Sequence, residues 1–241
     1  LDKHGVKRVR DTVSAIDVDK KQVRLASGAV LSYDRLVVSP GVEFMYDRLQ
    51  GWSAAGEASV LHAWKAGPQT VALRRQLTDM KDGGVVVMSV PLAPYRCPPG
   101  PYERACQIAW YLKQSKPKSK LIVLDANPDY VSKKPLFSRV FGEDYKGIVE
   151  YRVSAPVNQI DIKSNTLVTE LGDKVHGDVV NYIPPQRAAN IARDAGLAND
   201  SGFCPIKPEN MQSASDSNIY IVGDACIPGD MPKSGFSANS Q

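Results

Sequence analysis

The apolar positions of the chain follow two different periods. In "DTVSAIDV" (residues 11–18) and "QVRLAS" (22–27) apolar and polar residues alternate, the pattern of half-buried strands, with "DKK" as the turn between them. A second turn at "SGA" leads into "LSYDRLVVSPG", where "RLVVS" predicts a buried strand broken by Pro40–Gly41. Residues 42–63 hold no sustained period and predict a loop-rich linker. In "QTVALRRQLTDMKD", Val71, Leu73, Leu77 and Met80 fall roughly on one helical face, and Gly83–Gly84 is expected to end that helix. "GVVVMSV" then predicts a buried strand over 85–90. A helix over 103–114 follows, with "KPKSK" as a basic, solvated exit, and "KLIVLDANP" predicts a second buried strand ending on Asp125. Residues 85–125 thus read as one βαβ unit with a right-handed crossover. Further alternating strands run from Val149 to Pro185. "QRAANIARDAGL" predicts a helix, and "NIYIVGDA" a strand running into a Gly-Asp turn. This order predicts an α/β fold, a parallel sheet with antiparallel inserts.

The turn inside the βαβ unit departs from expectation. A dinucleotide-binding unit carries glycines there, so that backbone N–H groups can cradle a pyrophosphate. "PYRCPPGPYE" carries four prolines, an arginine and a cysteine instead, and the prolines remove several donors outright. Cys97 sits near a helix N-terminus beside Arg96, surroundings that favour a thiolate. Glu103, in the first helical turn, suits the helix dipole and is also placed to accept a proton. A buried structural cysteine and a helix-start glutamate remain the alternative. "IYIVGDA" places Gly223 and Asp224 at the end of a strand, where a glycine turn lets the backbone approach a ligand and a carboxylate can bind a sugar or ribityl hydroxyl. "YDRLVVSPG" ends in a matching turn about 180 residues upstream. Lys233, Ser234 and Gly235, ahead of a predicted helix, could offer a cation and backbone donors to an anion or a reduced ring, or form a solvated loop.

Composition narrows the classes. The 241 residues are 43% hydrophobic and 23% charged, with a formal net charge of +4, an ordinary globular balance. Basic residues are scattered, so no nucleic-acid partner is expected, and the apolar runs are too short to span a bilayer. The four cysteines, Cys97, Cys106, Cys204 and Cys226, are too few for a disulfide scaffold. No CxxC pair occurs and the three histidines are dispersed, so no metal site is expected. Cys106 reads as a core cysteine and Cys226 as a small packed side chain near a cofactor. Cys204 stays open between thiol and disulfide. His62 and Trp64 read as linker packing, and Arg187 as a surface residue.

Together, "PYRCPPGPYERACQIA", "VNYIPPQRAANIARDAGL", "IVGDACIPGDMPKSGFSANSQ" and "LHAWKAGPQT" resemble the flavoprotein subunit of flavocytochrome c sulfide dehydrogenase. That family is related to sulfide:quinone oxidoreductases and, more distantly, to glutathione reductase. The resemblance implies glutathione-reductase-like tandem nucleotide-binding domains. Residues 1–63 with 190–241 would be an incomplete FAD domain, and 64–189 an NAD-like domain that has lost NAD binding. It implies FAD as cofactor, hydrogen sulfide as substrate, a c-type cytochrome subunit carrying haem as electron acceptor, and a periplasmic setting. Cys97 matches one half of a redox-active disulfide against the flavin, with Glu103 as its acid-base group. Pro40, Gly41, Gly223 and Asp224 match flavin-contacting turns, and Lys233, Ser234 and Gly235 the region near the isoalloxazine. The glycine-rich first FAD segment, the cysteine of the covalent flavin link and the partner of Cys97 are all expected outside residues 1–241. A sulfide:quinone reductase and a flavin-free cytochrome-docking module are the rival readings.

Overall fold

The computed structural model describes residues 2–56 and 59–241; Leu1, Glu57 and Ala58 lie outside the described residues. The chain divides into two compact units, Leu1–Glu43 with Arg187–Gln241, and Phe44–Gln186.

In Phe44–Gln186 five strands pair in parallel, in the order Val60–Leu61, Val179–Tyr182, Val85–Val90, Lys120–Asp125, Val149–Arg152. Their near-continuous apolar sequences fit this, because a parallel sheet is covered on both faces. One face carries helices α1 (Pro68–Asp79) and α2 (Gly100–Ser115), whose Leu73, Ala105, Ile108 and Leu112 pack with Val86, Met88, Leu121 and Val123. The other face carries an antiparallel insert of Val157–Asp161, Thr166–Thr169 and Lys174–His176. There Ile160, Leu167 and Val175 join Val87, Leu124 and Val180 in a second core. The chain leaves Val85–Val90 towards Lys120–Asp125 on one side and returns through Val179–Tyr182 on the other. The carboxyl ends of Val85–Val90 and Val179–Tyr182 therefore flank the switch point at which open α/β sheets bind ligands.

Two local readings change here. The first helix stops at Asp79, before the glycine pair, because Met80 turns extended with ψ 137°. And Lys116, expected in a solvated exit, is buried: its Nζ donates to Thr78 O at 2.8 Å and to Met80 O. Those carbonyls lie at the end of α1, where helix geometry leaves acceptors without intrahelical donors and a cation is favoured.

The other unit has a five-stranded sheet in the order Cys226–Ile227, Cys204–Lys207, Gln212–Ser213, Ile219–Ile221, Leu36–Val38, beside an antiparallel sheet of Val13–Asp17, Gln22–Leu25 and Val30–Ser32. Its core gathers Val38, Ala192, Leu197, Phe203, Ile219 and Ile221. Leu36–Val38 is less buried than its sequence predicts. It is the edge strand, and Val37 keeps 63% of its surface exposed. "QRAANIARDAGL" is helical only over Asn190–Asp194. Gln186–Ala188 is extended after the Pro184–Pro185 pair, and Gly196 at φ +71° lies just beyond the helix end. Among the described residues no helix is long and apolar enough to cross a membrane.

Candidate functional site

The turn leaving Val85–Val90 delivers Cys97 to the head of α2. Cys97 adopts φ +60°, a left-handed conformation uncommon for a residue with a side chain, and its carbonyl accepts from Gly100 N at 2.8 Å. A Cβ added at Gly100 would lie 2.8 Å from Trp64 Cη2 and 3.0 Å from Cys97 Sγ. Glycine is thus required there by close approach. On one side the turn is fastened across the switch point, where Arg96 N donates to Gln186 Oε1 at 2.9 Å. Arg96 Nη2 reaches Trp64 O.

Three side chains grip the segment from Leu61 to Trp64. Arg104 donates to His62 O at 2.9 Å, Ala63 O at 2.5 Å and Asn181 Oδ1 at 3.1 Å, and its guanidinium lies 4.8 Å from the Trp64 ring centre. Asn181 Nδ2 donates to Leu61 O and His62 O at 2.7 and 2.9 Å. Gln69 Oε1 accepts from His62 N and Ala63 N, both at 3.0 Å. This web holds Ala63 at φ +46°. His62 is not simple linker packing, for its Nδ1 accepts from Trp64 N at 2.8 Å. Burial, together with the positive charges of Lys65, Arg104 and Arg96, lowers His62 to about 4, so the ring is neutral at pH 7. Burial also lowers Arg104, to about 10, which leaves it charged at neutral pH.

Trp64, Arg96, Cys97, Gly100, Glu103 and Arg104 line a hollow of about 270 Å³. The structure thus brings the two sequence-predicted residues, Cys97 and Glu103, to one small polar site. Glu103 is exposed in the first turn of α2. Two arginines and a helix N-terminus share this hollow with the sulfur, the type of environment that stabilises a thiolate. Among the described residues, the Nε1 of Trp64 and the Nε2 of Gln186 are buried donors with no hydrogen-bond partner. Arg104, Asn181, Gln69 and Gln186 escape sequence reading. Only Arg104 left a signal, a cation set between apolar helix positions.

Cys106 is half-buried, and burial with the charges of Glu103 and Asp144 raises it to about 11. It stays a thiol at neutral pH. Cys204 and Cys226 are buried thiols directly opposite one another on neighbouring parallel strands, and Cys226 Sγ donates to Gly223 O at 3.1 Å.

In the unit Leu1–Glu43 with Arg187–Gln241, Pro40–Gly41 and Gly223–Asp224 follow the carboxyl ends of the adjacent parallel strands Leu36–Val38 and Ile219–Ile221. Both glycines have positive φ, +68° and +83°. Lys233 is buried. Its Nζ donates to Asp224 O at 2.9 Å and to Cys226 O, and it stands 4.1 Å over the Phe203 ring. Its charge is thereby committed to its own loop. Ser234 caps the short helix Gly235–Ser240, its side chain accepting from Ser237 N at 3.2 Å.

Residues 70–184 match the family model described as the central part of the sulfide dehydrogenase (flavocytochrome c) flavoprotein chain. Over those residues the chain is similar to that family. It is 25% identical over 233 residues to the mitochondrial sulfide:quinone oxidoreductase of Dictyostelium discoideum, which covers 91% of this chain and 50% of that protein. The chain spans about half the length of the curated relatives it matches. Among solved structures it is similar to the sulfide:quinone oxidoreductase of Aquifex aeolicus, with TM-score 0.73 and 18% identity, covering 93% of this chain and 54% of the other. A ferredoxin reductase from Rhodopseudomonas palustris gives TM-score 0.64 at 18% identity, covering 94% and 52%. The fold is the tandem α/β arrangement these flavoprotein reductases share, with the first nucleotide-binding domain incomplete. The paired glycine turns at the ends of neighbouring parallel strands fit one wall of a flavin site.

Proposed function

We propose that this chain is part of an FAD-dependent sulfide oxidoreductase of the flavocytochrome c type, working in the periplasm and passing electrons to a c-type cytochrome subunit. The observation that carries the reading is Cys97 at the head of α2, sharing one hollow with Glu103 and two arginines in the place where a dinucleotide domain would hold phosphates. The domain Phe44–Gln186 accordingly does not bind NAD: four prolines occupy the turn that would need glycines and backbone donors.

In the proposed reaction Cys97 is one half of a disulfide. Hydrosulfide attacks one sulfur, a new S–S bond forms as the old one breaks, and the other cysteine leaves as thiolate. Arg96, Arg104 and the helix N-terminus favour the negative charge of incoming hydrosulfide and leaving thiolate. Glu103 takes up the proton of the bound persulfide. Pro40, Gly41, Gly223 and Asp224 would hold the flavin, which when bound supplies a two-electron acceptor. Lys233, Ser234 and Gly235 would shape the loop beside it, with Lys233 acting through the backbone it fastens.

A quinone as acceptor is the second reading, favoured by the sulfide:quinone oxidoreductases among the relatives. The deciding experiment is anaerobic addition of sulfide to the complete protein while its visible spectrum is recorded. Bleaching of a flavin band, with a long-wavelength thiolate-to-flavin band, is expected. A flavin spectrum unmoved by sulfide removes the substrate, and absence of flavin favours the docking-module reading. Reoxidation by cytochrome c rather than by a quinone analogue separates the two acceptors.

A further inference from the structure

Dinucleotide domains of this class use an acidic residue at the end of the second strand to hold a ribose. Asp125 stands at that end, but it is fully buried. Its Oδ1 accepts from Asn127 N and Nδ2 at 2.9 and 2.7 Å, and its Oδ2 from the hydroxyls of Tyr102 and Tyr151 at 2.8 and 2.7 Å. Four donors occupy the positions a carboxylate offers. The space beside it is filled by rings: Tyr151 stacks on Tyr130 at 4.3 Å, and Tyr102 packs 5.2 Å from Phe137.

Tyr95 stands between this cluster and Cys97. Its hydroxyl donates at 3.2 Å to the carbonyl oxygen of Pro98, the residue after Cys97. Tyr95 and Tyr102 are almost wholly buried, and burial pushes both phenols upward, so they act as neutral groups. A left-handed residue with a side chain persists only where its surroundings fix it. Here Arg96 N–H is held by Gln186 on one side of Cys97, and the Pro98 carbonyl faces Tyr95 on the other.

We propose that Tyr95 is a positioning residue for Cys97. Its hydroxyl holds the Pro98 carbonyl and so clamps the turn that presents the sulfur, beside the filled ribose position at Asp125. The inference rests on Cys97 being the reacting thiol of the proposed function, but its test needs neither sulfide nor flavin.

The test is carried out on the complete protein, reduced beforehand. Alkylation of Cys97 by iodoacetamide is followed against pH by mass spectrometry of its peptide, with Cys106 on the same helix as internal reference. Tyr95→Phe removes one hydroxyl and keeps the ring. It is expected to slow Cys97 alkylation about fivefold or displace its pH profile, the scale of one lost hydrogen bond, with Cys106 unchanged. Tyr102→Phe removes a hydroxyl bonded to Asp125 and Val131 rather than to the turn and is the control: Cys97 alkylation is expected to stay unchanged, and an equal slowing would assign the effect to packing around Asp125 and overturn the proposal. Coincidence of the Cys97 profiles of folded Tyr95→Phe and wild type would overturn the proposal. Should Tyr95→Phe not fold, Tyr95→Met, which also lacks the donor, is judged by the same criterion. If Cys97→Ser retained sulfide oxidation, the proposed function would fail while the alkylation result stood.

Discussion

Cys97 Sγ and the α-carbon of Gly100 are in such close approach that a methyl group on Gly100 would sit 3.0 Å from the sulfur. The same methyl would meet Trp64 at 2.8 Å. Gly100→Ala is therefore an over-packing change, expected to cost about 1–3 kcal/mol in a urea titration. It should also alter the alkylation rate of Cys97. An unchanged midpoint and rate would mean that the turn and α2 separate at no cost.

Cys97→Ser is expected to abolish reduction of the flavin by sulfide in the complete protein, because a hydroxyl cannot enter the thiol–disulfide cycle. Stopped-flow absorbance under anaerobic conditions reads this directly. Retention of the wild-type rate would remove Cys97 from the chemistry.

Glu103→Gln keeps size and hydrogen bonding but removes the base. A loss of roughly 100-fold in the sulfide-dependent rate is expected, the lower range for a positioned proton acceptor. The side chain is exposed in the first turn of α2, so the midpoint of unfolding should hardly move. A loss of stability equal to the loss of rate would assign Glu103 to the helix start alone.

Arg104→Leu leaves the carbonyl of Ala63 and the amide oxygen of Asn181 without the Arg104 donor, and the carbonyl of His62 with Asn181 Nδ2 in place of two donors. Orphaned buried acceptors and the lost charged bonds predict a destabilisation of about 3 kcal/mol by chemical denaturation. Arg104→Lys should recover little, since an ammonium cannot fork to several acceptors at once.

His62 has its folded-state value at about 4, below the ordinary 6.5. Between those values the unfolded chain binds a proton that the folded one refuses, so stability falls as pH drops from about 6.5 towards 4. His62→Asn retains an acceptor for Trp64 N–H and removes the titration. It is expected to flatten that part of the stability–pH curve. An unchanged slope would show that other groups carry it.

The parallel sheet, both long helices and the odd turn at Cys97 were legible because each rests on local signals: continuous apolar runs, a 3.6-residue period and prolines between strand and helix. Cys97 and Glu103 stood out for the same reason, as chemistry placed where glycines belong. The web around Leu61–Trp64 was not legible. Arg104 and Asn181 are 77 positions apart, and what unites them is the switch point of a sheet whose strand order no local pattern states. Lys116 misled for the opposite reason: its neighbours in sequence are polar, but α1 ends against it.

Arg104, Asn181 and Gln69 share one short piece of backbone as their common partner. A substitution at one strands acceptors or donors that the other two cannot serve. Through descent these three positions should drift as a set, unchanged together or replaced together, although they lie on separate elements with unrelated local sequence.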